Sequence, residues 1–277
     1  MSASPLVPAA PVIDARDAGV TLGGRRIWRH VTFDVPPGTF TVVLGPNGVG
    51  KSTLLKAILG LQPLSEGSID VMGAPAGRER GRIGYVPQRG SFDASVRVRG
   101  EDIVRLGLDG GRWGIPVPGA RARRDHERVH EVIRLVEATA YADRPIGQVS
   151  GGEQQRLIIA QALARSPAIL LLDEPLDSLD ISNQASVAAL IQRICREQEV
   201  AVVMVAHDVN PILPYLDQVV YLATGAAVCG PPEEVITGPT LSRLFGVDVE
   251  VLRAADGRLV VVGQPEAPAY HTDRHAH

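Results

Sequence analysis

The sequence predicts an α/β protein with a mixed, mainly parallel sheet at its core, an N-terminal antiparallel β subdomain and an inserted α-helical subdomain. Three observations carry this expectation. Gly45-Pro46-Asn47-Gly48-Val49-Gly50-Lys51-Ser52-Thr53 fits the phosphate-cradling pattern G-x-x-x-x-G-K-[ST] and lies between a β-branched run and a helical pattern. Ile169–Leu172 and Val200–Ala206 are unbroken apolar runs separated by helical sequence, which argues for parallel strands covered on both faces. From about residue 91 to 149 the texture turns helical.

The first eleven residues lack the basic start and sustained apolar run of a secretory signal, and read as a short flexible tail. Val12–Val35 alternates in the manner of half-buried strands around Gly23-Gly24, and Pro36-Pro37-Gly38 is a turn. Thr39–Leu44 reads as a buried strand and Ser52–Leu61 as the helix after it; Gly67–Met72 and Arg82–Val86 are further short strands. Within the inserted lobe, Glu101–Leu108 is helical. Asp125–Ala140 is a second helix with Val129, Val132, Ile133 and Val136 on one face, and Gly107–Arg124 joins the two as a loop. The main domain is expected over 12–246. Over 247–263, Val247–Arg253 and Leu259–Val262 flank Ala254-Ala255-Asp256-Gly257 as a hairpin, and 264–277 reads as a disordered tail. That tail carries His271, His275 and His277, either a weak Zn²⁺ site or incidental histidines.

Composition narrows the function classes. At 277 residues the chain can bury a full core, and 45% hydrophobic with 21% charged residues is ordinary for a globular protein. The longest apolar run, Val200–Ala206, falls far short of the roughly 18–20 residues that span a bilayer. Cys195 and Cys229 lack C-x-x-C spacing, so a reducing compartment is the simpler reading. A net charge of −3 gives no general attraction to nucleic acid. Arg121, Arg123, Arg124 and Arg128, with His126 and His130, carry no interleaved aromatics and read as a solvated surface. The basic residues are all arginine except Lys51 and Lys56, and Lys51 falls where the loop pattern wants a compact ammonium.

The glycines of the loop let successive N–H groups point at phosphate oxygens, and the helix start adds its positive end. In this pattern Lys51 reaches the β- and γ-phosphates and the Ser52 hydroxyl ligates Mg²⁺. Asp173 closes an apolar strand at the sheet's C-terminal edge, where it would hold Mg²⁺, and Glu174 beside it is the candidate to orient and deprotonate an attacking water. Ser150-Gly151-Gly152-Glu153 fits a capping box that opens a helix; its bare glycine N–H groups are also an anion site.

Gly45–Thr53, Ser150-Gly151-Gly152-Glu153-Gln154-Gln155-Arg156 and Asp173-Glu174-Pro175 together resemble the ATP-binding subunit of ABC transporters, over about Val12 to Val262. The resemblance implies the P-loop NTPase fold of ABC ATPases, ATP and Mg²⁺ as cofactors, and a homodimer that sandwiches ATP. In that dimer the signature Ser150–Glu153 of one copy closes over the phosphate loop of the other. It also implies that Gln88, in Tyr85-Val86-Pro87-Gln88, touches Mg²⁺ and links the site to the helical lobe. Ser178-Leu179-Asp180 would cross the dimer interface, and His207 would contact the γ-phosphate. Val149 and Glu153 stand where leucine and glutamine are usual in the signature. The adenine-stacking aromatic aligns with Leu22, leaving Trp28 as a candidate substitute.

Leu22-Gly-Gly-Arg-Arg-Ile27, Gln88-Arg-Gly-Ser-Phe-Asp93 and Ala206-His-Asp-Val-Asn-Pro211 look most like the branch serving manganese, zinc or iron uptake. The resemblance implies an ATPase on the cytoplasmic face of a bacterial membrane. Its helical lobe would bear on a polytopic permease through Gln88 and Ser91–Asp102, with an extracytoplasmic metal-binding protein as indirect partner. An ABC transporter for another substrate and a soluble ABC ATPase without a permease stay open at this point.

Overall fold

The described residues form three sheets, two large ones and a two-stranded C-terminal hairpin. In the computed structural model, which describes residues 10–88, 92–110, 119–223, 225–255 and 257–262, β1 (Ile13–Leu22) and β2 (Arg25–Val35) pair antiparallel across Gly23–Gly24. The chain passes through β3 (Phe40–Leu44) and α1 (Lys51–Ile58). It then returns to the first sheet as β4 (Glu66–Val71) and the short β5 (Ala74–Pro75), giving the order β2-β1-β4-β5. The Arg80 guanidinium donates to Leu59 O at 2.8 Å and Gly60 O at 2.6 Å, satisfying carbonyls past the end of α1. That helix therefore stops short of the expected Leu61.

After β6 (Ile83–Val86) come α2 (Gly100–Asp109), α3 (Ala120–Leu135) and α4 (Gly151–Leu163). The chain then runs through β7 (Ile169–Asp173), α5 (Ile181–Glu197), β8 (Ala201–Val205), β9 (Gln218–Ala223) and β10 (Ala226–Gly230). The second sheet has the order β10-β9-β3-β8-β7-β6, parallel except for the edge strand β10. Strands β9 and β10 escaped the sequence reading. Val219–Ala223 is an apolar run as long as that of β7, but unlike β7 it leads into no motif that marks it.

Period-two alternation divides the core. Leu170, Leu172, Val202 and Met204 face a cluster with Val132, Leu157, Val187 and Ile191 of the helices. Ile169, Leu171, Val203 and Val205 face Leu54, Leu55 and Ile58 of α1 and Ile13, Trp28 and Phe33 of the antiparallel sheet. Strands that are completely buried in this way read as continuous apolar runs, which is why β7 and β8 were legible.

The second lobe helix lies at Ala120–Leu135, about five residues ahead of the expected Asp125–Ala140. Its apolar face, Val129, Val132, Ile133 and Val136, is buried as expected. It ends early because Glu137 adopts φ 60° and is ion-paired with Arg156 of α4 and Arg193 of α5. Those partners are tertiary and invisible in the local pattern. Arg121, Arg123 and Arg124 thus lie on the helix and not in a loop. Arg128 is no solvated-surface residue, since it donates to Leu163 O and Ala164 O and pins α3 to the end of α4.

The C-terminal hairpin is β11 (Glu250–Arg253) and β12 (Leu259–Val262), preceded by α6 (Pro232–Val235) and α7 (Gly238–Phe245). Ser91, Asp256, the N-terminal residues 1–9 and the tail with His271, His275 and His277 lie outside the described residues.

Helix α2 seats on α4 at Gly107, where an added Cβ would come 2.0 Å from Gln161 O and 3.0 Å from the Ala164 Cβ. Gly107→Ala should therefore destabilise the protein by about 1–3 kcal/mol, although alanine is the better helix former. Calorimetry should show Tm lower by about 2–10 °C. An unchanged or raised Tm would mean that α2 does not pack on α4 at this point.

Candidate nucleotide site

Parallel pairing brings the strand ends to one level. Val43 of β3 is in register with Val205 of β8, which is in register with Asp173 of β7; Val86 of β6 is in register with Leu172. The residues that follow these ends, Gly45, Glu174, His207 and Gln88, therefore emerge on one edge of the sheet. In open α/β sheets ligands sit outside this carboxyl edge.

The phosphate loop runs from Gly45 into α1. Gly45 has φ 143°, and a Cβ there would come 2.3 Å from Leu222 O. Gly50, the N-cap of α1, has φ 99°, and its Cβ would come 2.4 Å from Ile27 and 2.9 Å from Trp28. Only glycine fits these two positions, which bring the backbone down onto the core. Trp28 is thus fully buried beneath the loop and cannot stack on a base, so the expected substitute for an adenine-stacking aromatic is withdrawn. Leu22 is exposed at the end of β1.

Lys51 is buried, and its ammonium donates to Gly45 O at 2.9 Å and Pro46 O at 3.3 Å. Burial lowers its pKa; the nearby Glu174, Asp177 and Asp173 carboxylates act in the opposite sense. Ser52 Oγ donates to Asp173 Oδ1 at 2.9 Å, so the two oxygen ligands expected for a metal stand together. Burial pushes the Asp173 carboxyl above its ordinary value of 3.8, against hydrogen bonds from Ser52 and from the Tyr85 hydroxyl.

Glu174 has φ 51°, a left-handed conformation uncommon for a residue other than glycine. Its amide donates to Val205 O at 3.2 Å. Gln88 Nε2 donates to Glu174 Oε2, and His207 Nε2 lies 2.7 Å from Glu174 Oε1 and 3.4 Å from Asp177 Oδ2. Glu174, Asp177 and His207 offer ligand atoms within 4.8 Å of one another, a set that could hold a metal ion. Their mutual contacts equally describe a hydrogen-bonded cluster.

The signature helix α4 opens with the expected capping box. The Glu153 amide donates to Ser150 Oγ at 3.3 Å, while Ser150 N and Oγ donate to Glu153 Oε2 at 2.7 and 2.9 Å. A Cβ on Gly152 would come 2.9 Å from Asn183 Oδ1, so the signature leans on the first turn of α5. Asp180 is the N-cap of α5: its carboxylate accepts from the Ser182 hydroxyl and from the amide and side chain of Asn183. Among the described residues no hydrogen bond or ion pair joins Ser150–Glu153 to Gly45–Thr53.

The structure thus brings together Lys51, Ser52, Gln88, Asp173, Glu174 and His207, and leaves Ser150–Glu153 and Asp180 in a separate cluster. Four polar partners were missed as site residues: Tyr85, Asp177, Asn183 and Gln154. Buried Gln154 accepts from Phe92 N at 2.9 Å and donates to Val149 O, tying α4 to the segment after Gln88. A carboxylate three residues beyond Glu174 was the one available signal for Asp177.

A phosphate loop on a parallel sheet edge, with a strand-end aspartate and glutamate, defines a P-loop nucleotide hydrolase. The ABC transporter family matches residues 28–177, and the chain belongs to that family. It is 36% identical over 236 residues to the zinc import ATP-binding protein of Hahella chejuensis, covering 85% of this chain and 84% of the relative. It is 32% identical to the manganese transport system ATP-binding protein of Halalkalibacterium halodurans, covering 91% and 98%. Its fold overlays an inward-facing metal-chelate type ABC transporter with TM-score 0.75 and 26% identity, over 91% of this chain and 96% of that one. The dimeric post-hydrolysis structure of an ATP-binding cassette with ADP and phosphate gives TM-score 0.63 at 26% identity, over 79% and 98%. This chain is accordingly an ATP-binding transporter subunit and an ATPase, and no helix among its described residues is long and apolar enough to cross a membrane.

Because burial raises the Asp173 pKa, the folded state holds that proton more tightly than the unfolded state. Stability then falls as pH rises from 3.8 through the folded value, and remains lowered at neutral pH. Asp173→Asn should raise Tm at pH 7 without nucleotide, the gain fading as pH falls through that window, while ATPase activity drops by roughly 100-fold or more. Thermal melts from pH 3 to 8 check the sign; a lower Tm at pH 7 would show that the Ser52 and Tyr85 bonds outweigh burial.

Proposed function

We propose that this chain energises uptake of a divalent metal, zinc or manganese, as a pair of copies closed around two ATP molecules on the cytoplasmic face of a membrane permease. The observation that carries the reading is the separation of two anion-binding features. One is the loop with Lys51, Ser52, Asp173, Glu174 and His207; the other is the signature helix start, which makes no bond to that loop in its own chain. A second copy gives the signature a phosphate to meet. The metal class is supported by the names of the zinc and manganese relatives, and the docking of a permease by the helical lobe at about 91–149, joined to the site by Gln88 and Gln154.

The residues fit ATP and Mg²⁺. Gly45 and Gly50 let the loop backbone turn tightly against the core, which leaves its N–H groups free to face a phosphate, and Ser52 with Asp173 supplies the hard oxygen ligands Mg²⁺ prefers. When bound, Mg²⁺ neutralises phosphate charge. Pro46, Asn47, Gly48, Val49 and Thr53 complete the loop backbone around the phosphates, and Lys51 turns from its carbonyl partners to the terminal phosphate. Gln88 reports metal and phosphate occupancy to the helical lobe. Glu174, held by Gln88 and His207, takes the proton of the attacking water, and His207 steadies the γ-phosphate. In the partner copy, Ser150, Gly151 and Gly152 present N–H and hydroxyl donors, Glu153 releases Ser150 to make them available, and Asp180 lies across the interface.

Glu174→Gln should lower turnover by roughly 100-fold or more while ATP binding persists, and should trap a dimer in gel filtration with ATP. Hydrolysis at the parental rate would remove Glu174 from its role. Co-purification from native membranes with a polytopic protein, and growth of a deletion strain restored by added zinc or manganese, test the transport assignment. Purification without any membrane protein would favour a soluble ABC ATPase.

A further inference from the structure

The C-terminal hairpin reaches the loop that carries His207. Asn210 Nδ2 donates to Leu259 O at 3.1 Å, and Leu259 N donates to Asn210 Oδ1 at 2.7 Å. Leu259 opens β12 opposite Arg253, while the neighbouring Arg258 O accepts from Ala254 N within the hairpin. Leu259 therefore turns its own N–H and C=O away from β11, and the Asn210 amide stands where a third strand's backbone would pair. On its other side Asn210 donates from both its backbone N and its Nδ2 to Asp208 Oδ1, at 2.9 and 2.7 Å. The orientation of the amide is dictated: flipping it would set its oxygen against the Leu259 carbonyl and the Asp208 carboxylate.

The loop needs this support. It follows β8, lies outside any helix or strand through Asn210, and carries the histidine that meets Glu174 and Asp177. Between Gly45, His207, Tyr221 and Val261 runs a cleft of about 300 Å³, so the hairpin does not pack tightly on the loop along this side. The hairpin itself is anchored, because Val251, Leu259 and Val261 pack on the main core.

We propose that Asn210 is a positioning residue for His207 and that the C-terminal hairpin is the strut it uses. The inference rests on the proposed role of His207 in hydrolysis. Lys51 and the phosphate loop make none of these bonds, so loss of the strut should slow turnover without weakening ATP binding.

The test uses the full chain with Asn210→Asp, which keeps the shape but removes the donors, and Leu259→Pro, which removes the facing donor without touching the loop. Proline is tolerated at the first residue of a strand. Each variant should lower kcat roughly tenfold and leave KM for ATP within about twofold, from the loss of one or two partly buried hydrogen bonds. Asn210→Ala combined with Leu259→Pro should cost no more than Asn210→Ala alone. Hydrogen exchange by mass spectrometry should quicken over Val205–Pro211 in both variants while the rest of the sheet stays protected. Parental kcat and unchanged exchange in Leu259→Pro would overturn the proposal, as would a KM that rises with no change in kcat. A parental chain without ATPase activity would instead count against the reading of the site, and the exchange result alone would then decide whether the strut exists.

Discussion

The arrangement depends on three parallel strands ending at one level. Pairing of Val43 with Val205, and of Val205 with Asp173, leaves β3, β8 and β7 flush, so that the residue types following each strand share one edge. A one-residue slip in any of these pairs would turn every side chain of that strand to the opposite face of the sheet. The register is held by burial, since both faces of β7 and β8 are packed: one by the helices, the other by α1 and the antiparallel sheet. The chemistry of the edge is therefore positioned by the hydrophobic core and not by the polar residues themselves.

Those polar residues are crowded at some expense. A buried Lys51 ammonium sits near three carboxylates, a buried Asp173 is held by two hydroxyls, and Glu174 occupies a left-handed backbone conformation between Gln88 and His207. Burial disfavours the charge on both Lys51 and Asp173. For Lys51 the three carboxylates oppose that effect, and for Asp173 the hydrogen bonds from Ser52 and Tyr85 do. The signature is constrained differently. Ser150 is occupied by Glu153, so within this chain the helix start is a finished cap.

Motif residues were legible because their chemistry needs fixed types at fixed spacing, as in Gly45–Thr53, Ser150–Glu153 and Asp173–Glu174. Buried parallel strands were legible because two covered faces erase alternation. The end of α3 was not legible, because Glu137 is held by Arg156 and Arg193 from other helices. Trp28 looked available as an aromatic near the nucleotide, yet Gly50 rests on it, and only the packed structure reveals which side of the loop the ring occupies.

The sequence by itself determined the class of chemistry: a glycine loop with one well-placed lysine, a strand-end Asp-Glu pair, and a second glycine helix start. Local covalent pattern is enough for this, since backbone N–H groups can converge on phosphate only where side chains are absent. The tertiary structure alone decided the partnerships. It joined Ser52 to Asp173 across 121 residues and Gln88 to Glu174 across 86, and it set Asn210 against Leu259 across 49. Such contacts follow from sheet order and strand register, which are properties of the whole core and are written in no single segment of the chain.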